Sequence, residues 1–279
     1  MVQASAGMKI IGAMRTDTGK VRTSNEDSVA WVTPHDNDVA HSRGSLALVA
    51  DGMGGHAAGE VASALAAETI RQLYYDLDGS IPQVLSKAFE AAHRTIIDYA
   101  EKHPQCKGMG TTCTVLAFRD DQAWLAHIGD SRAYLLRGRT LTQLSEDQTL
   151  VAKLVSEGTL TQEEADYSPM HNVILQALGA TTHIKPMIGA HGVQLQPGDV
   201  WILCSDGVYN MVPDAHMAEI ASRMLPQEAC NALIEAALEA GGHDNASLGI
   251  FSVTAAEDRD HAAGMKTRRI KIPLPGPSI

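Results

Sequence analysis

Three apolar runs in this sequence each stop at an aspartate beside a glycine. Ser45-Leu-Ala-Leu-Val-Ala50 runs into Asp51-Gly52, Ala123-Trp-Leu-Ala-His-Ile128 into Gly129-Asp130, and Val200-Trp-Ile-Leu-Cys204 into Ser205-Asp206-Gly207. Short runs of this composition, bounded by Gly or Asp, have the pattern of buried strands. If their ends converge, the carboxylates form a cluster that like-charge repulsion disfavours unless cations fill it. Oxygen donors of this kind suit Mg²⁺, Mn²⁺ or Ca²⁺ better than zinc. Taken singly, Asp-Gly after a strand is turn punctuation; its recurrence, with the motifs below, points to a site.

Other polar segments leave two readings open when taken alone. Arg22-Thr-Ser-Asn25-Glu26-Asp27 precedes a strand-like run. Its guanidinium is either one half of a solvated surface pair or a bidentate grip for phosphate, with the acids turned towards metals. His243-Asp244-Asn245, between Gly241-Gly242 and the last apolar run, is by itself a loop. The glycines of Gly52-Met-Gly54-Gly55-His-Ala-Ala-Gly59 resemble a dinucleotide-binding turn. That unit needs a second parallel strand after its helix. Residues beyond 76 read as another helix instead, and Asp51 would set negative charge beside a pyrophosphate. The nucleotide reading fails on both counts.

The elements that must position these residues are mostly strands. Strand-like runs fall at 8–14, 27–33, 45–50, 112–118, 122–128, 132–137, 186–195, 199–204 and 246–253. The pair 112–118 and 122–128, joined through Arg119-Asp120-Asp121, reads as a hairpin. Helical spacing appears at 56–75 (Val61, Leu65, Thr69, Leu73) and at 82–102 (Leu85, Phe89, Ala92, Ile96, Tyr99), with a third helix over 226–240. Strict β–α alternation is absent, so the class is α+β with mostly antiparallel sheets. No repeat and no linker interrupts the chain before about residue 255. One domain over 8–254 is expected, followed by a tail, 255–279, that ends Pro273-Leu-Pro-Gly-Pro-Ser-Ile and is expected to be disordered.

Of 279 residues, 44% are hydrophobic and 20% charged, enough apolar material for a core. Net charge is −11, which argues against nucleic acid as the main partner. Residues 265–279 carry four of the 22 basic side chains and none of the 33 acids, leaving the body 18 against 33, or −15. Cys106, Cys113, Cys204 and Cys230 form no close pair, as in a reducing compartment. No signal peptide or membrane span is evident, so the expected location is the cytoplasm.

In chain order, Arg22…Asn25-Glu26-Asp27, Asp51-Gly-Met-Gly-Gly-His56, Gly110-Thr111-Thr112, His127-Ile-Gly-Asp-Ser-Arg132, Leu144-Ser-Glu-Asp-Gln148, Ala177-Leu-Gly179, Ser205-Asp-Gly207 and Asp244-Asn245 resemble the motifs of the type 2C, metal-dependent protein phosphatase family in its bacterial form. Each motif alone is weak; together and in order they are specific, and they span nearly the whole chain. The resemblance implies a four-layer αββα sandwich with metals at one end. It implies that Asp51 bridges two metals, that the Gly52 carbonyl binds the second, and that Asp206 and Asp244 hold the first. Glu26 and Asp27 would support the second metal, partly through water; Asp130 would help Asp206 hold a third, weaker one; Arg22 would grip the substrate phosphate.

The cofactors implied are Mn²⁺ or Mg²⁺. The activity implied is hydrolysis of phosphoserine and phosphothreonine in proteins by a metal-activated water, opposing a bacterial Ser/Thr kinase that acts on the same substrates. A monomer is expected, with no membrane or nucleic-acid partner. Two departures stand out. Met53 occupies the place of a histidine found in eukaryotic relatives, and His56 receives no catalytic role. Ser168-Pro-Met-His171-Asn172 replaces a His-Pro-x-Arg-Asn pattern in the flap, about 146–180, which bears on substrate preference. The alternatives are a phosphatase of small phosphate esters and a catalytically silent phosphoprotein-binding regulator.

Overall fold

In this computed structural model the described residues are 8–255, apart from 35, 37, 38, 40, 41 and 55–57. His56 and the basic tail beyond Ala255 therefore lie outside them. The chain opens with β1 (Met8–Asp17), β2 (Asp27–Val32) and β3 (Ser45–Met53), followed by two helices, α1 (Ala58–Asp76) and α2 (Ile81–Lys102). Next come β4 (Gly110–Thr111), β5 (Cys113–Arg119), β6 (Gln122–Ile128), β7 (Arg132–Arg137) and β8 (Thr140–Gln143). Two short helices, α3 (Leu150–Ser156) and α4 (Gln162–Asp166), lead to β9 (Met187–Ile188), β10 (Val193–Gln194) and β11 (Val200–Cys204). The described chain ends with α5 (Asp206–Tyr209), α6 (Asp214–Arg223), α7 (Pro226–Glu239) and β12 (Ala246–Ala255).

Period-two patterning builds the layers. On β3, Leu46, Leu48 and Ala50 face α1 and α2, where they meet Ile70, Phe89 and Ile96. Ala47 and Val49, on the opposite face, pack with Leu116 and Phe118 against Trp201, Leu203 and Phe251 of the other sheet. The outer face of that second sheet, with Ile202, Cys204 and Ile250, is covered by Met217, Leu233 and Ile234 of α6 and α7. The result is the helix–sheet–sheet–helix sandwich expected. Every strand pairing is antiparallel: β1-β12-β11-β7-β8 form one sheet and β10-β6-β5-β3-β2 the core of the other.

The expected hairpin forms with Arg119 opposite Gln122, and Asp120 takes a positive φ of 51° that aspartate tolerates better than most residues. The single strand expected over 186–195 is instead two fragments, β9 and β10, both paired with β6. Residues 189–192 bulge between them, because four residues there face only Trp124 and Leu125. The helix α6 is an element beyond those the sequence spacing predicts; Pro213-Asp214 and the buried pair Met217 and Ala221 mark its start and its inner face. All four cysteines are buried and unpaired.

This topology fixes where the motif residues fall. Asp27 starts β2 directly opposite Asp51 near the end of β3. In the other sheet β11 ends beside the start of β12, so Asp206 follows one strand and Asp244 precedes its neighbour. The connection 129–131 crosses from the end of β6 to the start of β7 and carries Asp130. All these points lie at one end of the sandwich.

Candidate metal centre

Arg22, Glu26, Asp51, Gly52, Asp130, Asp206 and Asp244 line one cavity of about 520 Å³ at that end. Asp27 does not reach its wall. It lies underneath, 9% exposed, with Oδ2 accepting from the Ser205 hydroxyl at 3.0 Å. Its Oδ1 is buried without a hydrogen-bond partner.

The main chain at Asp51 is held on every side. Its N–H donates to Thr112 Oγ1 at 3.0 Å. Its carbonyl accepts from the Thr112 N–H and from Thr111 Oγ1, both at 2.9 Å. Gly52 N–H donates to the Glu26 carbonyl at 3.1 Å, and a Cβ on Gly52 would collide with the carbonyls of Glu26 and Gly59. Only glycine permits that approach. Asp206 stands in the first turn of α5 after Ser205. Behind Asp130, Arg132 forks onto Asp147 (2.7 Å) and lies over the Tyr209 ring at 3.7 Å from its centre.

Asp244 and Glu26 depend on Asn245, which in the sequence is only the neighbour of a motif aspartate. The Asn245 amide donates to the carbonyls of Thr18 (2.8 Å) and Ser24 (2.9 Å), and its Oδ1 accepts from the Glu26 N–H at 2.8 Å. One buried side chain thus ties the Arg22 loop to the start of β12. Arg22, exposed, pairs with the half-buried Asp244 at 2.6 Å. That hydrogen bond raises the guanidinium pKa further.

The electrostatics are those of crowded acids. Burial pushes Asp27 and Asp130 up to about 7, and the nearby Asp206 adds to both shifts. Asp51 keeps part of its surface open to the cavity. Protein nevertheless surrounds its carboxylate so densely that burial, then Asp27, Asp206 and Asp130, raise it well above the usual carboxylate range. Asp206 rises to about 6 through burial and Asp244, held back by close contact with Asp51 and by the Gly207 N–H. Among the described residues, no group of three or more His, Cys, Asp or Glu side chains meets tightly enough to clasp an ion as it stands. The carboxylates ring the cavity instead, as mutual repulsion and the pull of Arg22 on Asp244 dictate. An all-oxygen donor set with raised pKa values around one cavity is what hard divalent cations satisfy.

The sequence profile described as Protein phosphatase 2C matches residues 16–240. The chain belongs to the protein phosphatase 2C family. It is 40% identical over 243 residues to the serine/threonine protein phosphatase PstP of Mycobacterium tuberculosis, a match covering 86% of this chain and 44% of the relative. The chain therefore spans less than half the length of that relative. The serine/threonine phosphatase stp of Listeria monocytogenes is 35% identical over 240 residues, 84% of this chain and 92% of its own. The crystal structure of the PstP catalytic domain in complex with two manganese ions superposes with a TM-score of 0.76 at 38% identity, covering 88% of this chain and 99% of that one. The αββα class inferred from the motifs is thus the fold of the family. No helix among the described residues is long and apolar enough to cross a membrane.

Proposed function

We propose that residues 8–254 form a metal-dependent phosphatase domain that hydrolyses phosphoserine and phosphothreonine in proteins. One observation carries the reading: Asp51, Asp130, Asp206 and Asp244 surround a single cavity whose mouth holds Arg22. Asp51, the Gly52 carbonyl, Asp206 and Asp244 would hold two Mn²⁺ or Mg²⁺ ions. Glu26 and Asp27 would support the second, and Asp130 with Asp206 a third, weaker ion. Such ions supply a water acidic enough to act as nucleophile near neutral pH, and positive charge for the phosphoryl oxygens.

The protein's own part is positioning. Arg22 turns from Asp244 to the phosphate and grips two of its oxygens. That exchange leaves Asp244 free to face the cavity. Asn245 keeps both on one frame, while Asn172 and Ile174 of the flap also line the cavity. The four buried cysteines take no part in this chemistry. The partners proposed are phosphorylated proteins, with a bacterial Ser/Thr kinase as the opposing activity, and the protein acts as a monomer in the cytoplasm.

The test is phosphate release from phosphoserine and phosphothreonine peptides with Mn²⁺ and with EDTA. Metal-dependent release is expected, faster on peptides than on small phosphate esters. The reverse preference would select a metabolite phosphatase, and no release at saturating Mn²⁺ would leave a silent phosphoprotein binder.

A further inference from the structure

Two motifs singled out in the sequence, Gly110-Thr111-Thr112 and Ala177-Leu-Gly179, have no place in the ligand set, yet they meet behind Asp51. Thr111 N–H donates to the Leu178 carbonyl at 3.0 Å, and Leu178 N–H returns a bond to the Thr111 carbonyl at 2.9 Å. Thr111, fully buried, has its hydroxyl within donor reach of the Asp51 carbonyl (2.9 Å) and of the Thr112 carbonyl (2.8 Å), and β4 pairs Thr111 with Gly52. On its other side this strap is fastened to α2. Gly179 N–H donates to His93 Nδ1 at 3.0 Å. The ring also engages the main chain of Thr182. Gly179 has φ +80°, and a Cβ there would strike Ile96, one turn along α2 from His93. His93 is 8% exposed, and burial lowers its pKa against the raising effect of its contact with the Thr182 main chain.

We propose that His93 is a positioning residue for Asp51, acting through Gly179, Leu178 and Thr111 although it touches neither substrate nor metal. The inference rests on the reading of Asp51 as a metal ligand. A buried N–H that loses its acceptor is costly, so without His93 Nδ1 the strap moves off α2. Thr111 then no longer fixes the Asp51 carbonyl, and a ligand that must reorder on binding holds its ion less tightly. The path is a continuous set of hydrogen bonds between packed elements.

The test uses the full chain as wild type, His93→Leu, His93→Asn and Thr111→Val. Asparagine keeps an acceptor near the place of Nδ1; leucine keeps volume and removes it. In His93→Leu the Mn²⁺ dissociation constant, measured by calorimetry, should rise on the order of tenfold, with kcat returning towards wild type at high Mn²⁺. Exchange of the Thr111, Leu178 and Gly179 amides in EDTA should accelerate. His93→Asn should stay close to wild type in both. Wild-type Mn²⁺ affinity in His93→Leu would overturn the proposal, and so would an equal loss in His93→Asn, which would assign the effect to ring packing. If the leucine variant does not fold, Thr111→Val decides: it should lose Mn²⁺ affinity, and unchanged affinity overturns the proposal. Wild type that binds Mn²⁺ without hydrolysing phosphopeptide would sink the catalytic reading while the affinity comparison still decides His93. Wild type that binds no Mn²⁺ would sink both.

Discussion

The floor and the rim of the cavity are built by different means. On the floor, Asp51 sits in the ladder near the end of β3, and Asp206 opens the helix that directly follows β11, so the sandwich itself places both. Asp51 is held through both main-chain polar groups by Thr111 and Thr112, and Asp27 lies opposite it in register. On the rim, Arg22 and Asp244 sit on connections, with side chains 53% and 36% exposed, tied to the fold mainly by Asn245. Floor geometry comes with folding itself, whereas rim geometry rests on a few local hydrogen bonds. Loss of function should therefore be near-total on the floor and graded on the rim.

The largest effect should come from the floor. Asp51→Ala or Asp206→Ala should lower phosphopeptide turnover by several orders of magnitude with circular dichroism unchanged, because a shared ligand lost weakens more than one ion. Near-normal turnover of either variant at saturating Mn²⁺ would end the binuclear reading.

On the rim, Arg22→Ala removes one charge-assisted contact to phosphate, worth about 1.5–3 kcal/mol, so kcat/KM should fall on the order of 10–150-fold, mostly through KM. Stability should barely change, since an exposed pair such as Arg22–Asp244 contributes roughly 0–1 kcal/mol. Equal kcat/KM in the variant would make the Asp244 pair the residue's only role.

Asp130 lies between these cases: it is buried like the floor, yet carried on a connection and backed by Arg132 and Asp147. Asp130→Ala should cut turnover on the order of tenfold, a barrier change of about 1.4 kcal/mol, and leave two ions bound per chain. Disappearance of the tight sites in calorimetry would move Asp130 into the main pair.

The same division governs what the sequence discloses. The buried aspartates are visible because an apolar run that ends in an aspartate beside a glycine marks both a strand and its end, and Asp51, Asp206 and Asp130 all carry that mark. Arg22, Glu26 and Asp244 have no such signature, and only their order among the family motifs singles them out. Asn245 and His93 are harder still. An asparagine after a loop aspartate and one histidine within a helix look ordinary until tertiary packing supplies their partners. Misplaced elements follow a similar logic. The segment 186–195 has the composition of one strand, but the bulge at 189–192 is set by its register against β6. The short helices α3 and α4 lie under the threshold at which periodicity can be recognised, though Thr149 and Thr161 cap both.

The smallest effect, and the one that joins floor to rim, is on stability. Without metal, Asp27 and Asp130 titrate near 7 and Asp206 near 6, while Asp51 is raised well above the usual range. The unfolded chain has these groups near 3.9. Between those values the folded form holds more protons than the unfolded one, so stability falls as pH rises from about 4 through about 7. Buried His127, lowered to about 4, acts the other way between about 4 and 6.5, but equally with and without metal. Ion binding requires deprotonated carboxylates and so strengthens over the same interval. At 100 times its dissociation constant each ion adds about 2.7 kcal/mol, a shift of a few degrees in a domain of this size. The melting temperature in Mn²⁺ should therefore exceed that in EDTA, and the gap should widen from pH 5.5 to pH 8. Asp51→Asn, which removes one of the repelling charges and a ligand together, should narrow it. Thermal melts at one ionic strength decide the matter: a gap that is absent, or constant with pH, would mean that the acids do not share a cation site.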